Sequence, residues 1–222
     1  MALRLAEIEP QDYEYLITPT GNELPEMFAH WAKLESLLGK RLTVLKPFDG
    51  DGLRTLIERQ NALPNHRQRW CTRILKIEPT IAYLESIKPC IAYVGLRYDE
   101  ESRGGIYGTM IGVTQDYPLR RWGWGLAEVK GYLDARGICI PERTDCAWCY
   151  GQRLIEWKRL LTQHPDKFQE GVDLETTTGR TFRSDKRDTW PAGLDALRDE
   201  FNSGRKVRGE DSDTQVCRVC RM

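Results

Sequence analysis

No stretch of this 222-residue chain comes near the ~20 consecutive apolar residues that a membrane-spanning helix requires. Its first residues, MALRLAEIEPQDYEYL, put acidic side chains where a secretory leader would carry a long apolar segment. These two absences point to a cytoplasmic protein. An excess of charge is missing too. Lys+Arg and Asp+Glu both number 33, so the formal net charge is zero. Overall charge therefore gives no long-range steering onto nucleic acid, and only a local basic patch could serve that purpose. Histidine is scarce, and His30, His66 and His164 are scattered, so none stands out as a general base. Internal repeats and long low-complexity segments are absent as well. What remains, 40% hydrophobic and 30% charged residues, is enough for a soluble globular core.

The first half alternates between two periodicities. Residues 2–8 read as helix and Tyr13–Ile17 as a short strand ending at Pro19–Gly21. Glu23–Leu38 has helical apolar spacing through Met27, Trp31, Leu34 and Leu38, and stops at Gly39. Arg41–Leu45 alternates like a strand, Gly52–Arg59 is helical, and Thr72–Ser86 is helical with a break near Pro79. Cys90–Leu96 is apolar throughout, as expected for a buried parallel strand. Strands alternating with helices predict an open α/β sheet. The second half reads as helices over Leu126–Ala135, Gln152–Leu161, Pro165–Glu170 and Leu194–Phe201, with a polar Thr/Gly/Arg-rich segment over Glu175–Asp188. The expected organisation is an α/β domain over residues 1–122 and a helical, cysteine-rich region over 123–222. From Asn202 to Gln215 the composition is that of a disordered tail, yet the chain closes on VCRVCRM.

The seven cysteines include two C-x2-C pairs, Cys146/Cys149 and Cys217/Cys220. One turn of chain carries both sulfurs of such a pair to the same side, so two pairs supply four soft ligands. That set suits tetrahedral zinc or an iron–sulfur cluster. The interval between the pairs is far longer than in a simple zinc ribbon, so the second pair must return through tertiary structure. Cys71 is a possible further ligand, and Cys90 and Cys139 lie in apolar runs as ordinary core residues. Two other readings stay open: unrelated free thiols, or a terminal redox dithiol with Cys220 as nucleophile.

Several stretches carry a family resemblance. They are TPTGNELPEM (Thr18–Met27), RWCTRILKIEP (Arg69–Pro79), VGLRYDEESR (Val94–Arg103), the cysteine-bearing run from Gly123 to Cys149 with Glu156–Trp157 and HPDKF after it, and the closing CRVC. Their order resembles the phosphoadenosine phosphosulfate (PAPS) reductase family, phage and prophage type, of the PP-loop adenine-nucleotide alpha-hydrolase superfamily. The resemblance covers nearly the whole chain. It implies a Rossmann-like adenine-nucleotide alpha-hydrolase sheet and a cysteine-rich helical C-terminal region. One departure is large: the S-G-G-x-D-S phosphate loop of the family is absent, and the chain starts in what looks like the helix that follows it. Gly104-Gly105 and Gly123-Trp-Gly125 offer no substitute and read as turns. The resemblance then implies a sheet truncated at its N-terminus, without its central first strand. Unpaired buried backbone groups cost roughly 1–3 kcal/mol each. Three remedies are open: a misassigned start codon, strands that shift to close the sheet, or a strand supplied by another chain.

By resemblance, Thr20, Gly21 and Glu23 would line an adenine-nucleotide pocket, although Thr-Gly-Asn is also an ordinary strand-to-helix turn. Arg69, Arg73 and Lys76 would hold phosphate or sulfate beside Cys71, and Arg73 and Lys76 share a helix face at their spacing. Arg97, Asp99, Glu100 and Arg103 would contact substrate or form a local ion-pair network. Trp157 reads as core, and Arg120-Arg121-Trp122-Gly123-Trp124 as a short candidate for nucleic-acid contact. The implied activity is PAPS reductase-like: ATP or PAPS is bound, and sulfonucleotide reduction or ATP-dependent sulfur or adenylyl transfer proceeds beside a cysteine-bound zinc or 4Fe-4S centre. In a reductase, Cys220 would attack sulfur and a thioredoxin-like partner would resolve the adduct. The competing expectation is a non-catalytic metal-bound remnant that binds nucleic acid or protein.

Overall fold

The computed structural model describes residues 1–47, 49–100, 104, 110–141 and 144–209. Helix α1 (Ala2–Ile8) leads into strand β1 (Tyr15–Ile17), helix α2 (Pro25–Leu38) and strand β2 (Leu42–Val44). Pro25 stands in the first turn of α2, where its missing N–H costs nothing. Gly39 ends the helix at φ 64°, the left-handed conformation that glycine adopts without a Cβ clash. β1 and β2 pair in parallel, with Tyr15 opposite Leu42 and Ile17 opposite Val44, so α2 is the crossover of a small β-α-β unit.

Helix α3 (Leu53–Gln60) is followed by one long helical rod made of α4 (Trp70–Thr72), a π-helical turn (Arg73–Ile77) and α5 (Glu78–Ile87). The break expected near Pro79 is a widened turn just ahead of it. Proline cannot donate back to the Leu75 carbonyl and its ring would crowd that oxygen. The π turn relieves the conflict: the Glu78 N–H donates five residues back to the Arg73 carbonyl. Strand β3 (Cys90–Tyr93) then pairs in parallel with β4 (Val113–Asp116). The parallel pairing is as expected, but the burial is not. Ile91 is 54% exposed, so β3 is covered on one face only, and it ends three residues earlier than its apolar run. The anticipated open sheet is two parallel pairs, β1-β2 and β3-β4, among the described residues. The structure is mixed α/β, and the finer Rossmann-like assignment is not needed to describe it.

Helices α6 (Pro118–Arg121), α7 (Leu126–Asp134), α8 (Leu154–Gln163), α9 (Pro165–Thr178) and α10 (Leu194–Asn202) complete the fold. Helix α9 runs eight residues past its expected end at Glu170, through chain that reads as polar loop, because Val172, Leu174 and Thr178 are buried against its neighbours. Among the described residues no helix is long and apolar enough to cross a membrane. The main hydrophobic cluster joins the two halves of the chain: Leu24, Leu53, Leu56, Ile57 and Leu75 pack with Trp148, Trp157, Phe168, Leu194 and Phe201. Trp157 is fully buried, in keeping with a core role. Cys139, expected in the core, is exposed.

Packing is tightest where α9 passes Trp148. A Cβ on Gly171 would stand 3.0 Å from Leu194 Cδ1 and 3.2 Å from Trp148 Cδ1. Gly171→Ala regains helix propensity of up to ~1 kcal/mol but overpacks the site at a cost of about 1–3 kcal/mol. A net loss of stability is therefore expected in urea unfolding. A stabilised variant would show that Trp148 and Leu194 move aside freely.

Candidate functional site

The C-x2-C at Cys146–Cys149 is a tight turn. The Cys149 N–H donates to the Cys146 carbonyl at 3.2 Å, which brings the two side chains to one side of the chain. The residues between them are anchored. Ala147 and Trp148 are buried, the Trp148 Nε1–H donates to the Lys167 carbonyl at 2.7 Å, and Gln152 Nε2 donates to the Ala147 carbonyl at 2.6 Å. The turn is thus held rigidly by the core on one side while its sulfurs face each other.

Cys146 and Cys149 are hydrogen-bonded to one another, and that contact, with burial and the nearby Cys149 and Cys71 sulfurs, raises the Cys146 pKa well above the usual thiol range. Lys76 acts in the opposite direction. Cys71 is raised by burial first, then by Cys149, with Thr72 and Lys76 opposing. Helix α4 and its π turn therefore carry Cys71 and Lys76 to the C-x2-C. Among the described residues, no three or more His, Cys, Asp and Glu side chains are gathered as a metal ligand set. The structure brings together a thiol pair with Cys71 in its electrostatic neighbourhood; Cys217 and Cys220 lie outside the described residues.

The Thr20–Glu23 turn closes on the same place. Its Asn22 carbonyl accepts the Ala147 N–H at 2.8 Å, so the turn after β1 is hydrogen-bonded into the middle of the C-x2-C. Glu23 folds back on its own turn. One carboxylate oxygen accepts the Thr20 N–H at 2.6 Å and its hydroxyl at 2.7 Å, and the other accepts the Gly21 N–H at 3.0 Å. Gly21, at φ 77°, lies against Gly52, and the Thr20 carbonyl accepts the Leu53 N–H that opens α3. Thr20 is buried. Asn22 is 3% exposed, and neither polar atom of its side-chain amide has a hydrogen-bond partner among the described residues. Sequence reasoning missed Asn22. Its signal was its position between Gly21 and Glu23, in a turn that needs only one polar cap.

The other expected residues divide among different tasks. Arg69, Arg73 and Lys76 do not form one anion-holding set. Arg69 hydrogen-bonds Tyr150 and keeps a buried, unpartnered Nε; Arg73 is ion-paired with Glu78 at the surface; Lys76 faces the thiols. The π turn is wider than an α turn, so the helix face expected for Arg73 and Lys76 is not kept. Arg97 donates to Asp99 at 2.8 Å and lies 3.5 Å from Glu100, while Arg120 donates to the Glu100 carbonyl at 2.6 Å. Asp99 also accepts the Leu126 N–H at 3.3 Å. Burial pushes its carboxyl up, but Arg97 and that N–H outweigh it and leave the pKa below the ordinary value. This is the local ion-pair network, and it braces the start of α7. Arg103 lies outside the described residues. Arg121 of the basic-aromatic stretch is held by both oxygens of Glu9, at 2.8 and 3.1 Å, and by Asp116 at 3.0 Å. Its charge is spent within the fold.

No family model, curated protein or solved structure matches the chain.

Proposed function

We propose that this chain is a PAPS reductase-like enzyme. On this reading it binds an adenine nucleotide, ATP or PAPS, and carries out sulfonucleotide reduction or ATP-dependent sulfur or adenylyl transfer beside a cysteine-bound metal centre. The observation that carries the reading is the 2.8 Å hydrogen bond from Ala147 to Asn22, which puts the turn at the carboxyl end of a parallel strand directly against the thiol pair. The carboxyl ends of parallel strands are where ligands settle in α/β folds. Thr20, Gly21 and Glu23 stand there, with the unpartnered Asn22 amide between them.

The donor set suits a soft metal. A protonated thiol with a raised pKa makes a poor nucleophile, so Cys146 is ill suited to redox attack as a free thiol. Cys146 and Cys149 would hold a zinc ion or a 4Fe-4S cluster as thiolates, and such a group would supply the positive charge that keeps them ionised. Cys146 and Cys149 are the first two ligands on this reading, with Cys71, Cys217 and Cys220 as the pool for the rest. Lys76 lowers the thiol pKa values and holds positive charge where an anionic substrate group would lie.

Equilibrium titration with ATP and with PAPS, followed by PAPS-dependent sulfite release with a thioredoxin-like reductant, tests the proposal. Binding of either nucleotide, weakened by Glu23→Ala, supports it. Sulfite release abolished by Cys220→Ser selects reduction over transfer. A chain that binds neither nucleotide sinks the enzyme reading and favours the non-catalytic binder.

A further inference from the structure

Three loops that are far apart in sequence line a half-open cavity of about 860 Å³, around residues 65–67, 150–153 and 181–187. Among the described residues its walls carry Arg67, Arg153, Arg183, Lys186 and Arg187 against a single carboxylate, Asp185. The buried rings of Tyr150 and Phe182 form part of the lining. Two of the cations are neutralised nearby. Arg153 donates to Glu156 at 2.8 and 3.0 Å, and Arg183 Nη2 bridges both oxygens of Asp188 at 2.9 and 2.8 Å. The other three are not spent in that way. Arg187 donates to the backbone carbonyls of Tyr150 and Gly151 at 3.2 and 3.5 Å. Arg67 and Lys186 are exposed and have no carboxylate partner among the described residues. The cavity therefore keeps a local positive excess in a chain whose formal net charge is zero.

Arg183 makes a second, independent argument. It is 2% exposed, and its Nε–H has no hydrogen-bond partner among the described residues. A buried donor left unmade is costly, so folded proteins almost always satisfy such groups with protein, water or ligand. Guanidinium groups present a planar fork of donors that matches phosphate oxygens, and an ammonium adds a point charge. A concavity walled by low-dielectric rings strengthens both.

We propose that this cavity binds the phosphate groups of a small phosphorylated molecule, of the size of a nucleotide or a sugar diphosphate. A volume of about 860 Å³ fits a compact ligand. The neutral net charge gives a long polyanion no general attraction. Arg67, Lys186 and Arg187 take the charged oxygens at the mouth, the Arg183 Nε–H takes one at depth, and Tyr150 and Phe182 pack the organic part. The site stands on its own residues and does not depend on the sulfonucleotide reading. Tyr150 links the two places: its hydroxyl is raised first by burial, it hydrogen-bonds Arg69, and it feels the charges of Cys71 and Cys149.

The test is calorimetric titration of the full-length chain with inorganic pyrophosphate, a probe that needs no adenine pocket. Saturable binding that weakens with added salt is expected. Arg67→Ala/Lys186→Ala should weaken it by at least about tenfold, since it removes two charge-assisted contacts. Both side chains are exposed, so the variant keeps its fold, as circular dichroism will verify. Lys33→Ala removes a cation elsewhere and should leave the affinity unchanged. No pyrophosphate binding at millimolar concentration overturns the proposal, as does equal weakening by Lys33→Ala or an unaffected double variant. A single-stranded oligonucleotide that binds through Arg67 and Lys186 and is not displaced by pyrophosphate also overturns it, and would make the cavity part of a nucleic-acid track.

Discussion

Cys146→Ser and Cys149→Ser are each expected to lose almost all bound metal when the protein is purified without oxygen. The two thiols are hydrogen-bonded to each other on one tight turn, so removing either leaves a single sulfur where a soft ion needs at least two converging donors. The wild-type chain should carry zinc or iron in elemental analysis, iron being marked by broad visible absorption. Loss of metal also removes its contribution to folding, which reaches about 4 kcal/mol when the free metal is a thousandfold above its dissociation constant. Both variants should therefore melt markedly earlier than the wild type, and a chelator should lower the wild type towards them. Cys71→Ser separates the two metals. A cluster drawing on Cys71 collapses without it, whereas a zinc held by the two C-x2-C pairs survives. Cys217→Ser and Cys220→Ser ask whether the tail closes the site. Wild-type protein free of metal would overturn the metal reading and return the cysteines to thiol chemistry.

Much of the fold was legible because it rests on local rules. The apolar spacing of α2 and its glycine stop, the helices α7 and α10, and the division of the helical rod near Pro79 all follow from periodicity and backbone chemistry. Strand β4 escaped notice because only Val113 of its four residues is buried and Thr114, Gln115 and Asp116 are polar. The length of α9 was hidden because Thr176, Thr177 and Thr178 read as loop. In the helix, all three satisfy their hydroxyls on carbonyls four residues back. The exposure of Ile91 went the other way: an apolar run reports what can be buried, not whether a neighbour arrives to cover it.

The site was legible in part. C-x2-C spacing alone marks a thiol pair, and the stretch around Cys71 was singled out by resemblance. That α4 and the π turn after it would bring Cys71 and Lys76 to the same sulfurs is a tertiary fact with no local signal. The junction of Asn22 with Ala147, and the basic cavity, are assembled from loops more than a hundred residues apart, and no window of sequence contains either. The arginines were misjudged for a related reason. A cation's availability depends on whether a carboxylate reaches it, and Glu9 reaches Arg121 across 112 positions of sequence.

Stability is expected to fall as pH rises from about 4.5 to 7, and Glu175 is the reason. Its carboxyl, 8% exposed, accepts the Phe182 N–H at 2.8 Å on one oxygen and the Leu194 N–H at 2.6 Å on the other. These bonds tie α9 to the following loop and to the first turn of α10. Burial is the largest influence and outweighs both N–H groups and Arg183, so the pKa is pushed up to about 7. The folded chain then binds a proton that the unfolded chain, titrating near 4.5, has released. Between those values the linkage slope is negative, and the full swing is on the order of 3 kcal/mol. His30 opposes it. Burial lowers the imidazole pKa, so its contribution rises with pH below 6.5. The difference between wild type and Glu175→Gln isolates the carboxyl. Glutamine has one acceptor oxygen where glutamate offers two, so one buried N–H is left unpaired at a cost of about 1–3 kcal/mol. The variant should be clearly weaker than the wild type in urea at pH 5. At pH 7.5, where the wild type bears its buried charge, the gap should close. A gap that stays constant from pH 5 to 7.5 would mean that Glu175 is ionised throughout, held by the two N–H groups and Arg183.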